Sequence, residues 1–433
     1  MSMLPRSIEP NNRRWMILAF LMALCFISHF NRASMTSAGD ERIMGQFNIS
    51  PQQMGVIYTA FLVVYTLFMI PGGWLIDRRG PRFALTCMGI GSALFCAVTG
   101  AIGFGWIAGA QIWFTLFMVR SLMGMTSAPL HPGAARSVGN WFPGEQKPLA
   151  NGLITGASIL AYAVVHPVFG GLIDRVDWPI AFVITGFLTA LLAVAWRIWV
   201  KDGPENHEAT TSHSELDAGN QHSPSEPTRT FSRDRNLWLL TLSYAAVGYF
   251  QYLFFYWLHF YFDSVLKMDK TESRVLAGIP NLAMALCMPL GGWLTNRARR
   301  RLGQQTGETL VPKVGMIVSS LFLVCGIFSA DKTWIVVWFT LALGTLGLCE
   351  ASFWTVAVEL GRSRGGTSAA IMNTGGNGIG LLAPMMTPWI GTHLGWGWGI
   401  GVGAVVGLLG AACWFGITVK EKEIILGNNR NQT

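Results

Sequence analysis

The chain has few charged residues for its length. Asp, Glu, Lys and Arg make up 12% of its 433 residues, about half of the roughly 25% that is usual in soluble domains. Hydrophobic residues reach 51% and are concentrated in long runs. This composition excludes an ordinary soluble domain and indicates an integral membrane protein embedded in a lipid bilayer.

Motifs of hydrolytic enzymes and metal sites are also missing. The sequence contains neither H-E-x-x-H nor G-x-S-x-G, so we expect no enzyme activity, no cofactor and no metal. Its seven cysteines lie in apolar runs without metal-ligand spacing, which predicts buried small side chains rather than disulfides. The net charge of +8 comes from blocks such as DRRGPR at the ends of apolar runs, which argues against nucleic acid as a partner.

About twelve apolar runs are long enough to cross a bilayer, which takes about 20 residues each. They lie near residues 15–39, 53–75, 83–104, 111–136, 148–172, 178–200, 237–262, 276–295, 313–330, 333–358, 367–391 and 396–419. The sequence therefore predicts an all-α membrane protein with twelve transmembrane helices.

A polar segment, residues 201–235, separates the sixth run from the seventh and has the composition of a flexible linker. It divides the chain into two predicted six-helix bundles, residues 1–200 and 236–433. The sequence GGWL ends both the second and the eighth run, as expected for repeats related by an axis along the membrane normal. Lys and Arg are concentrated on one side, which predicts that both termini and the linker are cytoplasmic.

Two arginines lie inside apolar runs, Arg32 near the end of the first and Arg120 within the fourth. A guanidinium in the hydrocarbon zone costs at least ~2.5–3.5 kcal/mol, so each should face a cavity or a partner. Because guanidinium binds carboxylate bidentately, the pair indicates a protein that holds an anion. The alternative is that one of them pairs with a buried acid or with helix-end carbonyls.

The loop after the second run resembles the signature G-x-x-x-D-R-x-G-R-R of the major facilitator superfamily. The resemblance implies two six-helix bundles around a central cavity, with the motif acting as a gate whose aspartate can pair across the bundle interface. The matching residues are Gly73, Asp77, Arg78, Gly80 and Arg82. Asn296 replaces the aspartate in the second copy of the motif, which predicts a weaker gate there.

Further segments in both halves are similar to the anion:cation symporter family within that superfamily. They are Phe30-Asn31-Arg32, Gln53-Met54-Gly55, Arg120-Ser-Leu-Met-Gly124 and Asn373-Thr-Gly-Gly-Asn377. Members carry organic anions, commonly sugar acids, and many use proton symport. The resemblance implies a secondary active importer of a hexuronate, aldonate or aldarate, whose carboxylate Arg32 and Arg120 would hold. We expect a monomer in a cell membrane, most simply a bacterial inner membrane.

Other polar residues on the predicted helices are candidates for substrate binding. Arg120, Gly124, Ser127 and His131 share one helical face, which suggests room for a ligand beside Gly124. A second face, with Tyr252, Tyr256 and His259, suits a polyhydroxylated ligand, although aromatic packing explains it equally well. Tyr65, Asn31, Asn373 and Asn377 complete the candidate set, with packing or interhelical bonding as the alternative for each.

The residues that couple transport to protons are not obvious from the sequence. Family members typically have carboxylates at the positions of Asn31 and Ser127, and neither of these residues can titrate. Glu350 within the tenth run can take up a proton if it is buried, and His131 and His166 titrate near neutral pH when exposed to water. Each has a structural alternative as a hydrogen-bonded helix residue.

Two other functions stay open at this point. The missing carboxylates favour an exporter or antiporter, for which the partial match Pro167-Val-Phe-Gly170-Gly171 is weak support. A transporter-like membrane sensor would belong to a different class, but the sequence shows no appended signalling domain.

Overall fold

The computed structural model describes residues 12–105, 109, 111–142, 147–203, 234–361 and 365–419, and these residues are mostly helical and contain no strand. The first half contains α1 (Asn12–Ala38), a π-helical turn (Gly39–Ile43), α2 (Met44–Phe47), α3 (Pro51–Ile102), α4 (Gln111–Ser127), α5 (Leu130–Trp141) and α6 (Lys147–Trp199).

In the second half, the side chain of Asp234 caps the N-terminus of the helix that begins at Arg235. This half contains α7 (Arg235–Phe260), a π-helical turn (Tyr261–Val265), α8 (Lys270–Leu302), α9 (Gln304–Phe328), α10 (Lys332–Gly347), α11 (Glu350–Gly361), α12 (Gly365–Gly380), α13 (Ala383–Leu394) and α14 (Trp396–Cys413).

Two helices are too long to cross a membrane once. An uninterrupted helix of 52 residues, the length of α3, would extend about 78 Å, whereas the hydrocarbon core is about 30 Å thick. The chain reverses at Gly80, where φ is 81°, a conformation that glycine adopts without a Cβ penalty. In α6 it reverses at Asp177, where φ is 64°. Each of these helices therefore supplies two membrane segments.

By length and composition, eight of the described helical stretches can cross a membrane; these include the two double-length helices, and one of the stretches is the consecutive pair α10–α11, Lys332–Gly361. The consecutive pairs α4–α5 and α12–α13 complete the set, each interrupted by a short turn. The described residues thus form twelve membrane segments, and the predicted all-α multi-pass architecture is confirmed.

The segments pack as two groups. In the first group α3 lies against α4 and α6, and α1 lies against α6; in the second α7 lies against α12 and α14, and α8 against α10. Small residues permit these approaches. Gly248 of α7, for example, lies against the backbone of Gly376 and Gly380 on α12, the close backbone approach that glycine allows between membrane helices.

The two ends of the molecule are distinct. We call the end that carries the start of α1 the proximal end, and the opposite end, with both π-helical turns, the distal end. The two groups are joined in the distal half, where Gln52 Nε2 donates to Thr392 Oγ1 at 2.6 Å and Thr59 Oγ1 donates to the Leu381 carbonyl at 3.2 Å. Backbone contact between Gly278 of α8 and Ala163 of α6 adds to this closure.

The predicted gating motif lies at the proximal end, where the described contacts of Gly80 and Arg82 stay within the first group. The main-chain N–H of Arg82 donates to Asp202 Oδ1 at 2.7 Å, and its guanidinium donates to the Arg197 carbonyl. Asp77 is exposed, Gly73 has open space beside it, and the Arg78 guanidinium lies 3.8 Å from the Trp74 ring centroid. The motif therefore anchors the turn at Gly80 in this conformation.

Candidate functional site

Arg32 lies at the interface of the two groups with a hydrogen-bonding group to spare. It is buried near the distal end of α1, and its Nε donates to the hydroxyl of Tyr256 on α7 at 2.9 Å. Its Nη2 is buried and has no hydrogen-bond partner among the described residues. Since an unpaired buried donor of this kind is costly, the guanidinium is suited to receive an anionic ligand.

Arg120 of α4 is used differently. Its Nη2 donates to the main-chain carbonyl of Arg32 at 2.9 Å, and its Nη1 lies 3.4 Å from the Asn31 carbonyl and 3.2 Å from Met123 Sδ. Arg120 therefore holds the main chain of α1 beside Arg32. In this conformation Arg120 binds helix carbonyls, which is the alternative to anion binding that the sequence leaves open.

Aromatic rings surround the two guanidiniums. The Arg32 Cζ lies 5.2 Å from the ring centroids of both Phe61 and Tyr252, and the Arg120 Cζ lies 5.6 Å from the Phe61 centroid. Tyr65 is buried one turn along α3 and stacks parallel to Phe61 at 6.2 Å. The rings stabilise the cations through their π faces and exclude water from the site.

Tyr252 links this core to α12. Its hydroxyl donates to Asn377 Oδ1 at 2.5 Å, and Asn377 Nδ2 donates to the Asn373 carbonyl at 2.9 Å. The predicted residues Arg32, Tyr252, Tyr256 and Asn377 are therefore brought together at the interface. They carry hydroxyl and amide groups opposite the guanidinium, which is suitable for a ligand that combines carboxylate and hydroxyl groups.

Asn31 and Ser127 bond within the first group. Asn31 Nδ2 donates to Thr189 Oγ1 at 2.7 Å, and its Oδ1 has no partner among the described residues. Ser127 Oγ lies 3.1 Å from Ser92 Oγ and donates to the Met123 carbonyl. The expected space for a ligand beside Gly124 is wrong, because Gly124 lies in close contact with the Phe61 carbonyl of α3. Its missing side chain serves helix packing.

Glu350 lies within the second group. Its Oε1 accepts from the Tyr244 hydroxyl at 2.6 Å and from Trp354 Nε1 at 3.1 Å, while its buried Oε2 has no partner among the described residues. His131 pairs with another histidine, its Nε2 lying 3.4 Å from His29 Nε2. These candidates for proton coupling are thus held by separate local networks.

His259 lies one turn beyond Tyr256, and its contacts are with ionisable residues rather than with the arginines. Its Nδ1 lies 3.2 Å from Asp40 Oδ2 and its Nε2 lies 3.6 Å from Glu41 Oε1. Its ring stacks on His166 of α6 with 4.3 Å between centroids. We therefore separate His259 and His166 from the arginine core and assign them to an interface cluster with Asp40 and Glu41.

Sequence reasoning did not find the rest of this interface cluster. Arg274 of α8 donates to Glu41 and to Asp174, and Lys270 contacts the same two carboxylates. Arg42 also contacts Asp174, at 3.1 Å. The signal was present as two acids directly after the first apolar run and an arginine shortly before the eighth, but charged residues at such places ordinarily lie in solvated loops.

This arrangement defines the class of protein. Two groups of membrane helices meet at a buried cationic core. Among the described residues, ion pairs join the two groups at the distal end and not at the proximal end. Such a core can hold an anionic solute between two bodies that move relative to one another, which is the requirement of a membrane transporter.

Comparison with known proteins agrees with this class. The model of the Major Facilitator Superfamily matches residues 21–384, so the chain belongs to that superfamily. It is accordingly a multi-pass membrane transporter rather than an enzyme, and the resemblance noted in the sequence is confirmed.

Three of the similar sequences are named as probable transporters of organic anions. A probable sulfoacetate transporter of Cupriavidus necator is 25% identical over 379 residues, which cover 86% of each chain. A probable galactarate/D-glucarate transporter of Bacillus subtilis is 27% identical over 399 residues, covering 87% of this chain and 85% of the relative. The corresponding Escherichia coli protein is 24% identical over 399 residues, covering 88% and 87%.

Solved structures share the fold at lower identity. A bacterial homologue of the human lysosomal transporter Spinster, inward-facing and unoccupied, matches with a TM-score of 0.75 and 15% identity, covering 94% of this chain and 97% of that one. A D-xylose–proton symporter matches with a TM-score of 0.70 and 12% identity, covering 94% and 98%.

Proposed function

We propose that this protein imports a small organic dianion, most simply an aldarate such as D-glucarate or galactarate, by alternating access and proton symport. The observation that carries the proposal is the buried Nη2 of Arg32, which lacks a partner among the described residues at the interface of the two groups. The Tyr256 hydroxyl fixes the guanidinium from the opposite group, so a carboxylate bound there would contact both moving bodies.

The charge of the core favours a dianion over a monoanion. Arg32 and Arg120 are both buried, and neither is hydrogen-bonded to a carboxylate in the described part of the chain. Uncompensated buried cations are unfavourable, and a ligand with two negative charges offsets both. Relatives are named as probable transporters of galactarate, D-glucarate and sulfoacetate, and each of these molecules has an acidic group at each end, which supports this choice.

The remaining groups are suited to the hydroxyls of a sugar acid. Tyr252, Asn373 and Asn377 supply donors and acceptors on the second group, and Tyr65 lies on the first. The positive residues at the proximal end would place that end in the cytoplasm. The closed distal end would then be extracytoplasmic, in a bacterial inner membrane, and the contacts described would belong to a state closed to the outside.

The test is uptake of radiolabelled D-glucarate into proteoliposomes, competed by galactarate, D-gluconate and sulfoacetate. We expect the dianions to compete at least about tenfold better than D-gluconate, which corresponds to roughly 1.4 kcal/mol. Arg32→Gln should abolish uptake, whereas Arg136→Gln, a change at an exposed arginine of α5, should not. Normal uptake by Arg32→Gln would refute the carboxylate site.

Export, antiport and sensing predict other results in the same vesicles. An antiporter would accumulate D-glucarate only when the vesicles contain an exchangeable anion, and a sensor would bind without accumulation. Uptake into empty vesicles, driven by an inward proton gradient, supports symport.

A further inference from the structure

The interface cluster at the distal end has a titratable centre that the arginine core does not use. The imidazole of His259, from the second group, lies between His166 and Asp40 of the first group. The two rings stack at 4.3 Å and 11°, and His259 Nδ1 lies 3.2 Å from Asp40 Oδ2. The side chains of His259 and Asp40 are 1% and 0% exposed. This contact therefore exists only while the two groups are joined.

Asp40 is the carboxylate of the cluster without a cationic partner in the described part of the chain. Arg274 and Lys270 both contact Glu41 and Asp174 instead. Asp40 Oδ1 and His259 Nε2 are buried and lack hydrogen-bond partners among the described residues. Because burial of an uncompensated carboxylate is unfavourable, a proton shared by Asp40 and His259 would stabilise the closed interface.

The neighbouring histidine limits the site to one proton. Two imidazolium rings stacked as closely as His166 and His259 would repel each other strongly in a buried environment. Only one of them can be charged in this arrangement. His259 is the one beside a carboxylate, so the proton belongs to the Asp40–His259 pair.

Other charged and titratable groups surround this pair. On the first group Glu41 lies 3.6 Å from His259 Nε2, and Arg42, Tyr58 and Asp174 lie around it. On the second group the surrounding residues are Tyr256, Asp263, Lys270 and Arg274. A surface depression lined by Glu41, Arg42 and Asp174 opens at the edge of the cluster and would admit water from the distal side.

We propose that Asp40 and His259 form the binding site of the coupling proton, replacing the titratable groups that Asn31 and Ser127 cannot provide. This inference rests on the proposed transport function and adds to it the place where the proton binds. One proton from the distal solution binds as the interface closes, and it is held in a hydrogen bond between His259 Nδ1 and Asp40 Oδ2.

Release of the proton toward the core would then favour reopening. Tyr58 lies between Asp40 and the core, with its ring 5.1 Å from that of Tyr256. Once the proton has left, the Asp40 carboxylate is buried and charged, so the separated state becomes favourable. By linkage, any excess proton affinity of the joined pair shifts the closing equilibrium tenfold per pKa unit.

Two transport modes of D-glucarate test this site. His259→Gln and Asp40→Asn should reduce accumulation driven by a proton gradient at least about tenfold. They should retain exchange of labelled for unlabelled D-glucarate at equal pH, since exchange needs no net proton movement. His393→Gln, at an exposed distal histidine, is the matched control and should accumulate normally. Normal gradient-driven accumulation by both test variants would overturn the proposal.

A second measurement does not depend on the substrate. Magnetic resonance of isotope-labelled histidine, of which the chain has 8, can follow each ring between about pH 5 and about pH 8. We expect a pH-dependent His259 signal, assigned by its loss in His259→Gln, that changes in Asp40→Asn. A His259 signal indifferent to both would refute the proton site. If wild type neither takes up nor exchanges any anion while this signal behaves as expected, the proposed substrate class fails and the proton site stands.

Discussion

Arg120 donates from Nη2 to the main-chain carbonyl of Arg32 at 2.9 Å, so one buried cation positions the helix that carries the other. That carbonyl lies in the distal part of α1, about two turns before the π-helical turn that begins at Gly39. The fork of Arg120 thereby fixes the place of the anion site without using its own charge in a salt bridge.

The first prediction concerns that fork. Arg120→Lys keeps the charge but cannot span the Arg32 and Asn31 carbonyls with a planar group, so we expect D-glucarate uptake to fall about tenfold to a hundredfold, in line with ~1.5–3 kcal/mol for a hydrogen bond to a charged group. Arg136→Lys, on the exposed face of α5, is the control. Uptake is compared at equal protein content, and unchanged uptake would show that charge alone suffices.

The second prediction concerns Tyr256. Tyr256→Phe removes the acceptor of the Arg32 Nε bond and leaves another buried donor unpaired, so KM for D-glucarate should rise about tenfold. Tyr261→Phe, at a tyrosine whose ring packs on Phe339, should change KM less than about twofold. Equal effects of both changes would mean that the Tyr256 hydroxyl plays no specific part.

The third prediction concerns closure of the distal end. Gly278→Ala places a methyl group against the backbone of Ala163 on the opposite group, whereas Gly292→Ala on the same helix meets only Ala351 at an ordinary 3.5 Å. We expect Gly278→Ala to slow uptake at least about tenfold because the close approach is blocked. Hydrogen exchange in residues 39–47 should increase in this variant only, and unchanged exchange would contradict the closure described.

The fourth prediction separates Glu350 from proton coupling. In Glu350→Gln, the amide oxygen that replaces the carboxylate can still accept from Tyr244 and Trp354, so proton-driven uptake should stay within about twofold of wild type. Glu350→Ala leaves the buried Tyr244 hydroxyl unpaired and should lower Tm by several degrees. Loss of gradient-driven accumulation in Glu350→Gln, with exchange retained, would move the coupling site to Glu350.

The fifth prediction concerns the turn at the proximal end. At Gly80, φ is 81° and an added Cβ would lie 2.8 Å from Asp202 Oδ1, so Gly80→Ala should destabilise the protein by roughly 1–3 kcal/mol. Gly73→Ala, in the same motif but with open space around it, should be neutral. Thermal unfolding in detergent measures both, and equal Tm values would contradict the role assigned to Gly80.

The segment pattern was predictable because a bilayer imposes length and hydrophobicity on each crossing. Arg32 and Arg120 could be singled out for the same reason, since their charge conflicts with the apolar residues around them. Their division of labour could not be predicted, because it depends on whether α4 approaches the end of α1 closely enough to reach its carbonyls. Gly124 shows the same limit, because a glycine on a membrane helix is expected both where two helices pack closely and where a ligand needs space.

The interface cluster was out of reach for a different reason. Asp40 and Glu41 follow an apolar run, where acids are ordinarily solvated loop residues. Their side chains are buried because the π-helical turn Gly39–Ile43 extends the first crossing and because α8 begins at Lys270, earlier than the hydrophobic pattern predicts. The contacts of Asp40 with His259 and of Glu41 with Arg274 join residues more than 200 positions apart, and no local sequence pattern predicts them.

The continuity of α1 into its π-helical turn has a mechanical consequence. Arg32 and Asp40 are separated by eight positions of one helical rod, about 12 Å along its axis. Any rotation or shift of α1 that a bound anion causes at Arg32 therefore also moves Asp40, which lies in the closed distal interface. A single residue inserted between them would rotate Asp40 by about 100° around the helix axis. Such a protein would still bind its anion at Arg32, but Asp40 would no longer face His259 when the distal interface closes.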